Sequence, residues 1–141
     1  MRTRSKKIKT LKPALWKLFT LYQKLVHSHD GEWCSCYTCG KAIKIGTKDC
    51  QGGHCWSKAA FSAIYFDERA VRPQCSNCNA FCEGRHDEFN DNLKQEIGME
   101  AWQDLKDNRS KTVKRSWAWY WDQIDYYDQA LKEVKEARGW E

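Results

Sequence analysis

The chain of 141 residues carries 24 lysines and arginines against 19 aspartates and glutamates, a formal net charge of +5, and eight cysteines. This length allows one compact domain and excludes two ordinary ones. Lys12, Lys17 and Lys24 interrupt the apolar residues from position 11 to 26, so neither a signal peptide nor a contact with a membrane is expected. We therefore expect a cytoplasmic protein whose reduced cysteines bind metal rather than form disulfides.

The excess positive charge lies at the N-terminus. The first twelve residues contain no acid and six basic side chains: Arg2, Arg4, Lys6, Lys7, Lys9 and Lys12. We interpret residues 1–12 as a flexible basic arm that contacts the phosphate backbone of DNA. A solvated tail that keeps the protein in solution fits the same charges equally well.

A helix is predicted within residues 13–30. Pro13 suits the first turn of a helix, and apolar residues recur at helical spacing from Leu15 to Val26. The next region, residues 31–98, is rich in cysteine and glycine at first, with Ile43 and Ile45 alternating against lysines as in a strand. It ends in a helical stripe of Phe89, Leu93 and Ile97, which Gly98 terminates.

Residues 99–141 are predicted to be helical. Trp102 and Leu105 indicate a short segment, and apolar residues at helical spacing from Trp117 to Val134 indicate a long one. We expect Trp117, Tyr120 and Trp121 to pack on the middle region or on a second copy of the chain, with Trp119 facing outward. Stacking on nucleobases is the alternative for these aromatic residues.

Two Cys-x-x-Cys pairs have the spacing of a tetrahedral zinc site. The four expected ligands of a structural Zn²⁺ are Cys36, Cys39, Cys75 and Cys78. Cys34 is an alternative first ligand, because it lies five residues before Cys39. Zinc would supply folding free energy to a region with few large aliphatic residues.

The other cysteines have no regular spacing. Cys50, Cys55 and Cys82 are most simply small buried thiols. A second zinc site, in which His27 and His29 would join Cys34, is the alternative. The two histidines are otherwise expected at the end of the first helix, where the helix dipole favours positive charge.

His54 and Asn79 are the candidate catalytic residues. His54 follows Gly52 and Gly53, which would let the backbone turn sharply and approach a phosphate. Asn79 follows Cys78, the last cysteine of the two Cys-x-x-Cys knuckles. Phosphodiester hydrolysis needs a base that activates water and a divalent cation that neutralises charge. This combination favours a nuclease, whereas a histidine considered alone would more often have a structural or zinc-binding role.

The motif order resembles a known family of nucleases. Cys36-x-x-Cys39-Gly40 and Gly53-His54 are followed by residues 66–79, FDERAVRPQCSNCN, and Gly84. This order of motifs is similar to that of the phage NinG/Rap recombination endonucleases. Members of that family are HNH-type (His-Me finger) nucleases, akin to the endonuclease VII junction resolvases. The resemblance implies an α+β fold with a zinc-stabilised ββα-metal core in residues 31–98, flanked by N- and C-terminal helices.

The resemblance also implies roles for single residues. His54 would be the general base, Asn79 would hold a catalytic Mg²⁺ or Mn²⁺, and Arg85 or His86 would contact the phosphate. Ala70 stands where these relatives usually carry the middle asparagine of HNH, which braces the loop that holds the base; its absence would either loosen the site or transfer this task to Asn77 or Gln74.

A second ligand for the catalytic metal is not evident. Gly53 stands where the junction resolvases carry an aspartate before the histidine. Asp49, Asp67 and Glu83 are the candidates to replace it. Mg²⁺ keeps several water ligands, so one or two protein ligands suffice.

The expected function is therefore metal-dependent hydrolysis of DNA by an HNH endonuclease in a bacterial host cell, encoded by a phage. Branched recombination intermediates such as Holliday junctions are the expected substrates. A homodimer through the aromatic C-terminal helix would match the two-fold symmetry of a junction. The alternatives are a non-catalytic zinc-ribbon protein that binds DNA and an HNH nicking or homing-type enzyme that acts on linear duplex.

Overall fold

The structure, a computed structural model, describes residues 4–57 and 61–140, and Arg2 lies outside these ranges. The described chain combines helices and short strands, which confirms the α+β class. The helices are α1 (Ile8–Val26), α2 (His86–Ile97), α3 (Met99–Asn108) and α4 (Trp117–Arg138). The strands are β1 (Trp33–Ser35), β2 (Ala42–Lys44), β3 (Gln51–His54) and β4 (Val71–Gln74).

Helix α1 begins at Ile8, five residues before the predicted start at Pro13. Leu11 is buried together with Leu15 and Phe19, so the apolar stripe of this helix extends one turn towards the N-terminus. Pro13 lies inside the helix, where it lacks an N–H group to donate. Residues 8–12 are therefore helical, and the predicted flexible arm is wrong for this part.

The segment that precedes α1 lies against α4. The guanidinium of Arg4 pairs with Asp125 at 2.9 Å and lies 4.5 Å from the centre of the Trp121 ring. The indole N–H of Trp121 donates to the carbonyl of Ser5 at 2.7 Å, and the ammonium of Lys6 lies over Trp117. Residues 4–7 thus have a defined path along the protein surface.

Helices α1 and α4 pack on each other through aromatic rings. Phe19 meets Tyr127 edge to face at 5.3 Å, and Tyr22 meets the same ring at 5.5 Å. The buried residues of α4 follow helical spacing: Tyr120, Ile124, Tyr127 and Leu131. The aromatic helix therefore buries its main apolar face within its own chain.

The outward orientation expected for Trp119 is wrong. Its ring packs against Phe66 at a centroid distance of 5.9 Å, whereas Trp117 is 40 % exposed. Burial of Tyr120 fixes the rotation of α4, and this rotation turns Trp119 towards the core.

Each pair of strands forms an antiparallel hairpin. In the first, Trp33 lies opposite Lys44, and Ile43 is buried as the predicted alternation requires. In the second, Gln51 lies opposite Gln74 and His54 opposite Val71. A helical turn, Asn77–Phe81, follows β4 directly.

The main core lies between α1, α4, β4 and the α2–α3 pair. Helix α2 ends at Gly98, as predicted, and its Phe89 and Leu93 are fully buried beside Trp102 and Leu105 of α3. A second, smaller core contains the cysteines around Ile43. No helix within the described residues combines the length and the apolar composition that crossing a membrane requires.

Candidate functional site

The four predicted zinc ligands converge. The Sγ atoms of Cys36, Cys39, Cys75 and Cys78 all lie within 4.8 Å of one another. Zinc–sulfur bonds of about 2.3 Å in a tetrahedron place the sulfurs about 3.8 Å apart. The Sγ atoms of Cys39 and Cys75 are 3.8 Å apart. The cluster thus has the donor set and the size to hold a structural zinc ion, and it contains Cys36 rather than Cys34.

The cluster joins the two hairpins. Cys36 and Cys39 lie in the turn between β1 and β2, where the N–H of Gly40 donates to the carbonyl of Cys36 at 2.9 Å. Cys75 directly follows β4, and Cys78 lies in the turn Asn77–Phe81. A metal held here would fix this turn relative to β4.

Three of the cluster's thiols, those of Cys36, Cys39 and Cys75, have shifted pKa values. Burial opposes ionisation of Cys36, but hydrogen bonds from the Thr38 hydroxyl and from backbone N–H groups lower its pKa to about 6. Burial raises the pKa of Cys75 to about 12. A bound zinc ion requires deprotonated thiols, so we expect its affinity to fall as the pH falls.

Asp49 supports the cluster from outside. Its carboxylate accepts hydrogen bonds from the backbone N–H and hydroxyl of Ser76 at 3.0 and 2.8 Å, and it pairs with Lys41 at 2.7 Å. Lys41 and Ser76 together lower the pKa of Asp49 to about 2. Asp49, one of the three candidates for a second ligand of the catalytic metal, therefore links the two cysteine knuckles and does not line the cavity that contains His54.

The alternative second zinc site does not form: among the described residues, the cysteine cluster is the one group of three or more histidine, cysteine or acidic side chains that could hold a metal ion. Cys34 instead lies 3.9 Å from Cys50, sulfur to sulfur. His27 bonds through Nδ1 to the carbonyl of Gln23 at 2.8 Å, as a residue at the end of α1. Cys55 is fully buried, as expected.

His54 is the last residue of β3 and is buried. Its Nε2 lies 2.9 Å from the carbonyl oxygen of Tyr65. A carbonyl oxygen only accepts, so Nε2 carries the proton of the neutral ring and Nδ1 carries the lone pair. The ring stacks on Trp16 of α1 at a centroid distance of 4.8 Å and an interplanar angle of 8°. These contacts fix both the tautomer and the plane of the imidazole.

His54 and Asn79 line the same cavity. This cavity has a volume of about 660 Å³, and its wall also includes Gln51, Glu83 and His86. The side-chain amide of Asn79 donates to Oε1 of Gln51 at 2.9 Å, so its Oδ1 is the atom suited to bind a cation.

The other predicted phosphate contacts are distributed differently. His86 lies in the cavity wall, but Arg85 lines a neighbouring depression with Glu88, at 4.0 Å from its carboxylate. The N-terminal cations that the structure describes, Arg4, Lys6, Lys7, Lys9 and Lys12, are all exposed, and Lys12 lies 4.2 Å from the centre of the Tyr65 ring.

The two glycines before His54 serve close packing. A Cβ at Gly52 would lie 2.5 Å from the Thr20 methyl, and one at Gly53 would lie 1.8 Å from Oε1 of Gln74. Neither glycine has a positive φ, since both belong to β3. The expected sharp turn is therefore wrong: these glycines let the strand approach α1 and Gln74.

Ala70 is fully buried, and its carbonyl accepts the N–H of Cys55 at 2.9 Å. The Gln74 amide donates to the Thr38 hydroxyl and to the carbonyl of Gly84, which connects the first knuckle to the cavity wall.

The partner of His54 Nε2 is the main-chain carbonyl of Tyr65 and not a side chain. The sequence gives no indication of it, because any residue can supply that oxygen.

Of the three candidates for a second cation ligand, only Glu83 lines the cavity. Asp67 instead caps the turn Glu68–Ala70 and pairs with Arg69 at 2.8 Å. Its carboxylate is therefore committed to a structural contact.

Comparison with known proteins identifies one family. A sequence model of the bacteriophage lambda NinG protein matches residues 1–137, which is nearly the whole chain. No characterised protein and no solved structure gives a match. The match covers the cysteine cluster, both hairpins and the helices on either side, and the chain therefore belongs to the bacteriophage lambda NinG protein family.

Proposed function

We propose that the chain is a metal-dependent DNA endonuclease of the HNH (His-Me finger) type. In this proposal β3, β4 and the helical turn Asn77–Phe81 form the ββα-metal core, and the cysteine cluster holds zinc that stabilises it. The observation that carries the proposal is the hydrogen bond from His54 Nε2 to the carbonyl of Tyr65, in a cavity that also contains Asn79.

His54 is suited to accept a proton from water. Because Nε2 donates to Tyr65, the lone pair lies on Nδ1, and the stack on Trp16 restricts rotation of the ring. The carbonyl also stabilises the protonated imidazole that this transfer would produce, since it keeps its hydrogen bond in both states. The arrangement thus supplies a general base with one defined basic atom.

Asn79 is the residue that would hold Mg²⁺ or Mn²⁺. Its Oδ1 is a hard oxygen ligand whose orientation is set by the bond to Gln51, and Glu83 in the same wall offers a carboxylate. When bound, such a cation supplies charge neutralisation at the phosphate. A cavity with hard oxygen donors beside a basic imidazole suits this chemistry.

Branched DNA is the proposed substrate class, and it rests on the resemblance of the motifs from Cys36 to Gly84 to those of recombination nucleases. Paired cuts in a two-fold symmetric junction suit a homodimer. The buried face of α4 is already covered by α1, so a dimer contact through this helix would use its exposed aromatic residues, Trp117 and Tyr126.

A non-catalytic zinc-dependent DNA-binding protein is the second candidate. Ala70 at the position of the usual asparagine favours it, because no side chain from this position can brace His54. Cleavage would not occur with any metal in that case.

The test compares a labelled four-way junction with a linear duplex of the same arm sequence. Cleavage is measured with added Mg²⁺, with Mn²⁺ or with EDTA, and zinc content is measured after each incubation so that loss of zinc is recognised. We expect cleavage that requires the added metal and is faster on the junction. The Asn79→Ala variant should need more metal for half-maximal rate. Binding without cleavage in every metal would support the second candidate.

A further inference from the structure

Helix α3 separates its charges onto two faces. Trp102, Lys106 and Arg109 follow i, i+4, i+7 spacing and therefore share one face. Three acidic residues of the same helix have this spacing on another face, where they line a groove: Glu100, Asp104 and Asp107. One side of α3 is therefore basic and aromatic.

The basic face of α3 is continuous with the His54 cavity. Trp56 lines that cavity, and its ring lies 5.9 Å from the ring of Trp102. The guanidinium of Arg109 lies 4.7 Å from the centre of Trp56, and the ammonium of Lys106 lies 5.3 Å from that of Trp102. Both cations are thus held over aromatic rings that extend from the cavity wall.

These two cations have no acidic partner among the described residues. Within residues 4–57 and 61–140 neither Arg109 nor Lys106 forms an ion pair. On the acidic face, by contrast, Asp104 is paired with Arg69 at 2.8 Å. A cation that is already positioned over a ring loses little side-chain entropy when it binds an anion.

We infer that Arg109 and Lys106 form a second phosphate-binding surface, which holds the DNA backbone on the α3 side of the cavity. Lys12, over the Tyr65 ring that contacts His54, would bind the backbone near the same cavity from α1. This inference rests on the proposed DNA substrate, but it concerns binding and does not require cleavage. Its ligand is the phosphate backbone, so it predicts affinity without base preference.

The test is the salt dependence of binding to a fluorescein-labelled linear duplex, without added Mg²⁺ or Mn²⁺. Each phosphate contact that is lost should make the slope of log K against log salt shallower by about 0.9. We expect this change for Arg109→Gln and for Lys106→Gln, and recovery of the Arg109 contact in Arg109→Lys. Lys132→Gln, on the exposed side of α4, is the matched control and should retain the wild-type slope.

Zinc content and thermal melting show whether each variant is folded. If Arg109→Gln loses its fold, Lys106→Gln alone decides the question, because the side chain of Lys106 makes no hydrogen bond or ion pair among the described residues and its main-chain bond to Arg109 is unchanged by the substitution. Slopes of the two folded variants equal to that of wild type would overturn the inference, even if the wild-type protein cleaves DNA. A shallower slope in a protein that never cleaves DNA would support the surface and contradict the nuclease proposal.

Discussion

His54 donates its Nε2–H to the main-chain carbonyl of Tyr65, over 2.9 Å and across the loop that joins β3 to β4. This carbonyl and the stack on Trp16 together orient the ring without a side chain from position 70. The absence of an asparagine at Ala70 therefore leaves His54 oriented.

The Ala70→Asn substitution tests this view of the base. Ala70 is fully buried, so an asparagine there would overfill the site and bury a polar amide, which we expect to cost about 1–3 kcal/mol of stability. Cleavage at a temperature where the variant is folded should not increase. Urea unfolding and single-turnover cleavage measure the two effects, and an increase in rate of tenfold or more would show that Ala70 impairs the wild-type site.

The cysteine cluster predicts which cysteines are needed to bind zinc. Cys36→Ser should release the metal and unfold the two knuckles, because it removes one of four converging ligands. Cys82→Ser is the matched control: its sulfur accepts a bond from Arg85 at 3.4 Å but lies outside the cluster. Zinc stoichiometry by mass spectrometry should be near zero for the first variant and unchanged for the second. Full zinc in Cys36→Ser would refute the ligand assignment.

Local sequence patterns predicted much of the fold. Helical spacing located α2 and α4, Gly98 marked the end of α2, and the two Cys-x-x-Cys pairs identified the cluster. These features depend on neighbouring residues and on local turn geometry. They can be predicted without knowing which helices and strands contact each other in the folded chain.

Long-range contacts explain what the sequence did not predict. The stack of Trp16 on His54 and the carbonyl of Tyr65 depend on the packing of α1 and a loop around β3. Likewise, the N-terminal segment follows α4 because Arg4 and Ser5 find partners there. None of these partners is adjacent in sequence, and one is a main-chain atom.

The carboxylate of Glu96 should make the free energy of unfolding depend on pH. Burial raises its pKa, but hydrogen bonds from Arg72 and Tyr37 outweigh this and hold the pKa below its ordinary value of 4.5. A carboxylate with a lowered pKa stabilises the fold above that ordinary value and loses the effect as the pH falls. Glu96→Gln should therefore cost roughly 1 kcal/mol or less at pH 7, since it weakens bonds to the buried Arg72 while solvent screens the charge of the partly exposed carboxylate.

Urea unfolding of wild type and Glu96→Gln from pH 7 to pH 3 checks this prediction. The difference between the two should shrink as the pH falls below 4.5, where the carboxylate of the unfolded chain takes up a proton, and should be smallest once the native carboxylate is also neutral. Glu100→Gln, a substitution of an exposed residue of α3, should leave stability nearly unchanged at every pH. A difference for Glu96 that stays constant across this range would contradict the role of its charge.

The most direct test of the central claim is the single-turnover cleavage rate of His54→Ala on a four-way junction with saturating Mg²⁺. The exposed His29 provides the control variant, His29→Ala, and zinc content, melting and junction affinity show that each variant is intact. If His54 is the general base, its variant should bind like wild type and cleave at least about 100-fold more slowly. The control variant should bind and cleave like wild type. Cleavage by His54→Ala at the wild-type rate would contradict the account.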